Sequence, residues 1–143
     1  TLALQNDSFL DPEHPDRKDQ NLLELGNPRH AFSLDMSLGS GPVTVGYKLR
    51  YLSKMSVGAI ENIRSVQGRG AEDADAFATR YNPATTYHNA RVEVDLGPRL
   101  SIYAGVDNIT DRLPPPSVTG VDDDGAIYDS IGRFLYVGAI ARF

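Results

Sequence analysis

Three histidines, a run of three aspartates and a few serines are the residues of this chain whose chemistry could be put to work. His14, His30 and His88 lie far apart and lack the paired spacing that completes a metal site, so solvated or strand-flanking roles are expected of them. Asp122-Asp123-Asp124-Gly125 invites a calcium reading. It lacks the alternating ligand spacing and the distal Glu of an EF-hand loop, which favours a solvated loop tip. Ser8, Ser40 and Ser117 have no nucleophile-elbow context. The expectation is that the chain is not an enzyme and holds no cofactor.

The remaining chemistry is charge placed on strands. Lys48, Arg50, Arg91, Glu93, Asp95, Asp107 and Arg142 all alternate with apolar neighbours, and side chains of a strand alternate between its faces. The elements that carry them can be traced in order. From His30, Phe32, Leu34, Met36 and Leu38 share one face, with Ala31, Ser33, Asp35 and Ser37 on the other. Residues 39–42 (GSGP) form a tight turn, and Val43, Val45, Tyr47, Leu49 and Tyr51 return on the apolar side opposite Thr44, Gly46, Lys48 and Arg50. A second hairpin sets Ala90, Val92, Val94 and Leu96 against Arg91, Glu93 and Asp95. It turns at Gly97-Pro98 and returns through Leu100, Ile102, Ala104 and Val106 against Ser101, Tyr103, Gly105 and Asp107. The last strand, RFLYVGAIARF (133–143), sets Leu135, Val137, Ala139, Ala141 and Phe143 on one face and Phe134, Tyr136, Gly138, Ile140 and Arg142 on the other. Residues 1–6 resemble the end of a further strand begun upstream, and without an initiator Met or signal peptide the chain reads as a mature piece or a fragment.

Connections alternate strictly in length. Residues 7–28, 54–85 and 108–132 are long polar loops, while the two turns are short. No convincing 3.6-residue period is found. Soluble sandwiches have no reason to sort their connections by length onto opposite ends, whereas outer-membrane barrels do so, with short periplasmic turns and long outer loops. The expected fold is therefore all-β, with antiparallel up-and-down strands, about six of them, forming the C-terminal part of a large transmembrane β-barrel. In that setting the strand charges line the lumen, because lipid would be prohibitive for them. Tyr47, Tyr51 and Tyr136 are candidates for an aromatic girdle, although Tyr136 falls on the inward phase.

Composition sets outer bounds. A net charge of −5 without a basic cluster argues against a nucleic-acid partner. The absence of cysteine leaves neither disulfides nor thiolate sites. No run of about 18 apolar residues exists for a membrane helix, and a mean hydropathy of −0.32 is compatible with a wall that needs only every second residue apolar. A soluble all-β secreted or periplasmic binding module, and a passive outer-membrane pore, are the alternatives.

Three segments resemble TonB-dependent receptors of Gram-negative outer membranes. GNPRHAFSLDMSL (26–38) with GPVTVGYKLRYLSK (41–54) resembles a late hairpin of that family. AGVDNITDRLPP (104–115) resembles its penultimate-strand signature, and AIYDSIGRFLYVGAIARF (126–143) its closing motif. The acidic run at 122–124 departs from the Gly-rich sequence common there. The resemblance implies the C-terminal segment, residues 1–143, of a large plugged barrel in the cell outer membrane, with no plug domain of its own. It implies active uptake of a scarce nutrient of the siderophore-iron, cobamide or oligosaccharide class. The implied partners are outer-membrane lipid, the remainder of the barrel and plug in the same or a separate chain, the TonB complex through that plug, and the barrel assembly machinery, for which Phe143 would be the signal. Ligand contacts would fall on Arg64, Arg69, Arg80, Tyr81, Asp122, Asp123 and Asp124 in the loops, and on Lys48, Arg50 and Arg91 in the lumen. In a bacterial barrel the formal glycosylation triplet Asn108-Ile109-Thr110 carries no weight.

Overall fold

The computed structural model of the chain describes residues 1–9, 11–14, 16–75, 78–116 and 127–143. The chain is all-β and divides into two compact units.

One unit, built from residues 32–51, 86–113 and 129–143, holds the main sheet. Its strands are β3 (Ala31–Ser40), β4 (Val43–Leu52), β7 (Thr85–Asp95), β8 (Leu100–Asp107) and β9 (Phe134–Ala141), hydrogen-bonded in that order as an antiparallel meander. Among the described residues the sheet is open, with β3 and β9 as its edges. The five strands expected from His30 onward are all present, with limits shifted by a few residues. β7 begins at Thr85, five residues before the alternation is clear in the sequence. The first turn shrinks to Gly41-Pro42, where a φ of +57° at Gly41 precedes the fixed negative φ of proline, the pattern of a II′ hairpin.

Register places like with like. On one face Val92 opposes Ala104 and Ala104 opposes Val137, while Val94 opposes Ile102 and Ile102 opposes Ala139. Phe32 stacks on Tyr51 at 5.2 Å on the same apolar phase. On the other face Arg91 opposes Gly105 and Glu93 opposes Tyr103, and Lys48 lies 3.5 Å from Asp35. The apolar face is bare. Leu135 is 73% exposed and Val137 82%, with Phe32, Leu34, Met36, Leu38, Val45, Val92, Leu100 and Ile102 also exposed.

The other unit gathers residues 1–31, 52–85 and 114–128. Here the expected irregular loops prove more ordered than their polarity suggests. β1 (Asp7–Phe9) pairs with β2 (Lys18–Gln20), and β5 (Met55–Ser56) with β6 (Tyr81–Asn82). A one-turn helix, α1 (Ile60–Ile63), also forms, and its Ile60 N–H is capped by Glu24 Oε1 at 3.0 Å. Ile60, Ile63 and Val66 form a small buried core with Leu23 and Tyr81 against it. Five apolar residues spread over sixty positions give no periodic signal, which is why the sequence reads as loop. The expected sixth strand is present only in outline, as one bridge between Leu2 and His30.

Candidate functional site

The polar face of the main sheet brings together the chemistry that its strands carry. Lys48 and Arg50 project from the same face of β4, two residues apart, and β7 supplies Tyr87 and Asn89 alongside. With Asp129 these five residues line a recess of about 230 Å³. The Arg50 guanidinium lies over the Tyr87 ring at 4.8 Å, a cation–π contact that leaves its N–H fork free to meet an acceptor. The Tyr87 hydroxyl accepts the Asp129 N–H at 3.0 Å, and Asp129 Oδ1 accepts the Ile131 N–H at 3.0 Å. Asn89 Oδ1 accepts the Asn108 N–H at 3.1 Å. Two cations, one carboxylate and a phenol in a half-open recess can bind a ligand bearing carboxylate, phosphate or many hydroxyls. No nucleophile–base pair is set up among them.

The recess is anchored by a turn that follows β8. Asn108, wholly buried at a φ of +50°, donates from Nδ2 to the Arg112 carbonyl at 2.9 Å and accepts the Arg112 N–H on Oδ1 at 2.8 Å. Asp111 Oδ1 then accepts the Arg133 N–H at 2.8 Å, clasping residues 108–112 to the start of β9. The two C-terminal motifs are thus complementary halves of one fastening, and Gly132 sits at its tightest point with a φ of +80° and no room for a Cβ beside Asp111.

The nominated residues divide between the two units. Lys48 and Arg50 line the recess, but Arg91 is engaged elsewhere on the face. Its guanidinium pairs with Glu93 at 2.8 Å and lies over the Tyr103 ring at 4.2 Å. Arg64, Arg69, Arg80 and Tyr81 belong to the other unit. Arg64 closes α1, and Arg69 exchanges two backbone hydrogen bonds with Val66 in a tight loop. Arg80 Nη2 donates to the Ala74 carbonyl at 3.3 Å. Tyr81 packs on the small core beneath the Lys54 ammonium, 4.3 Å from its ring centroid, which makes it a packing residue. Asp122, Asp123 and Asp124 lie outside the described residues. Phe143 is fully exposed beyond β9.

Tyr87, Asn89 and Asp129 were not foreseen. Tyr87 and Asn89 share the phase of Arg91, so extending the β7 alternation back to Thr85 was the available signal. His14 and His88 have separate partners. His14 Nδ1–H donates to Asp11 Oδ2 at 2.6 Å, and His88 Nδ1 shares a hydrogen bond of 2.6 Å with the Tyr47 hydroxyl. Among the described residues no three His, Asp or Glu converge on a point that could hold a metal ion. No protein-family model, curated protein or solved structure matches this chain.

Proposed function

We propose that this chain is part of the wall of an outer-membrane β-barrel of the TonB-dependent receptor class, taking up a scarce nutrient through its lumen. The observation that carries the reading is the bare apolar face of the sheet, with Val137 at 82% and Leu135 at 73% exposure, set back to back with a face of cations, tyrosines and carboxylates. In water such a face is a hazard, whereas in a bilayer it meets its proper solvent. The meander also leaves both short turns at one end of the sheet and every long connection at the other. On this reading Lys48 and Arg50 line the interior and contact an anionic or polyhydroxylated ligand.

The test is to follow the protein in its native host through a peptide ending at Phe143. The reading expects it in purified outer membranes, within a species large enough to close a barrel, and expects ligand uptake to stop when TonB is deleted. Recovery in the soluble fraction as a monodisperse species contradicts the reading. Ion conductance that persists without TonB points instead to a passive pore.

A further inference from the structure

We propose that the free edge of β3 is the binding surface for one more antiparallel strand, formed by chain that leads directly into Thr1, in a register already set at its first pairs. Thr1 and Ala31 exchange both backbone hydrogen bonds, Leu2 bridges His30, and the Ala3 N–H donates to the Arg29 carbonyl at 3.0 Å. This is an antiparallel ladder in which partner numbers sum to 32, and Thr1 is its upstream limit in the sequence, whereas β3 runs on to Ser40.

Two features of β3 fit an edge made to be paired. Strand hydrogen-bonding groups alternate sides. His30 turns its carbonyl to Ser53, at the start of the connection that follows β4, and Ala31 turns both groups to Thr1, so Ser33, Asp35, Ser37 and Gly39 direct theirs away from β4. The strand reads AFSLDMSLGS, without the proline or lysine that protects natural edges, and its one charge, Asp35, is engaged by Lys48.

The register specifies the occupant's chemistry. The residue immediately before Thr1 faces Phe32, and the third, fifth and seventh before it face Leu34, Met36 and Leu38. Directly opposed residues share a face, so these positions are apolar, and the second, fourth and sixth, opposite Ser33, Asp35 and Ser37, are polar or small. None of this depends on the sheet meeting lipid.

The experiment uses the full-length protein from its host. Met36 forms a pair that does not exchange backbone hydrogen bonds, where Cα atoms approach to about 4.5 Å, within disulfide range. Met36→Cys combined with a cysteine at the fifth residue before Thr1 is expected to crosslink on mild oxidation at least tenfold faster than with one at the fourth, which points to the opposite face. In the unsubstituted protein, hydrogen exchange at Ser33, Asp35 and Ser37 is expected to be as slow as at Leu34 and Met36. Equal crosslinking of both pairs, fast exchange confined to the odd positions, or a native chain that begins at Thr1 overturns the proposal. A water-soluble protein with the predicted crosslink would keep this register while removing the membrane reading.

Discussion

The ring of Tyr103 on β8 lies over Gly138, its direct partner on β9, so closely that a methyl group on that glycine would fall inside the ring. The relationship is repeated two residues along, where Tyr136 covers Gly105, and the two rings meet at 6.3 Å. Each tyrosine shields backbone that its partner leaves bare and fixes the β8–β9 register at two points. Gly138→Ala is expected to displace Tyr103 from both Gly138 and the Arg91 guanidinium and to cost about 1–3 kcal/mol. Gly46→Ala is the control. An added Cβ there meets nothing closer than carbonyl oxygens at 4.0 Å, so the change is expected to be neutral or stabilising by up to about 1 kcal/mol. Unfolding of the two variants in one detergent compares them, and equal effects would contradict the covering role.

Asn108 is predicted to be irreplaceable for structural reasons. Asn108→Ala strands the N–H and the carbonyl of Arg112 and leaves a non-glycine residue at positive φ, costing about 2–4 kcal/mol. Asp111→Asn keeps an acceptor for the Arg133 N–H and should cost less than Asp111→Ala. Chemical unfolding ranks the three; a harmless Asn108→Ala would show that its two bonds to Arg112 do not hold the turn, and a harmless Asp111→Ala that the clasp does not hold β9.

Asp11 gives a pH dependence of known sign. The hydrogen bond from His14, assisted by the Glu13 N–H, holds its carboxyl below the usual aspartate range. A carboxyl lowered in the folded state stabilises it above the unfolded value, and that contribution is lost as the pH falls below about 4. An NMR titration of the Asp11 carboxyl should move upward in His14→Ala. No movement would show that the pair is not formed in solution.

Val137 separates a membrane wall from a soluble sheet. Val137→Arg at a water-exposed position changes stability by no more than about 0.5 kcal/mol, whereas on a lipid-facing strand near the bilayer midplane it costs about 2–4 kcal/mol. Reversible unfolding from lipid vesicles reads the difference.

The main sheet was legible because period-two alternation survives wherever one face is apolar, as in Phe32, Leu34, Met36 and Leu38 or Ile102, Ala104 and Val106. The small core of Ile60, Ile63 and Val66, with Leu23 and Tyr81 against it, was not, because these residues come from short segments with no repeat to betray them. The site was half legible. Lys48 and Arg50 were visible as cations on one phase of a strand. Tyr81 and Arg69 carry the residue types of a ligand site, yet one packs on apolar neighbours and the other shapes a tight loop, and only tertiary placement distinguishes such roles.

The most direct test of the barrel reading uses the absence of cysteine from the chain. Single cysteines at positions 134–137 and 139 of the native protein, each carrying a nitroxide, are measured in bilayers for collision with dissolved oxygen and with a water-soluble nickel complex. The account predicts a period-two alternation, with oxygen dominating at Leu135→Cys, Val137→Cys and Ala139→Cys and depleted at Phe134→Cys and Tyr136→Cys. Nickel access at Val137→Cys equal to that of a water-exposed loop site would contradict it.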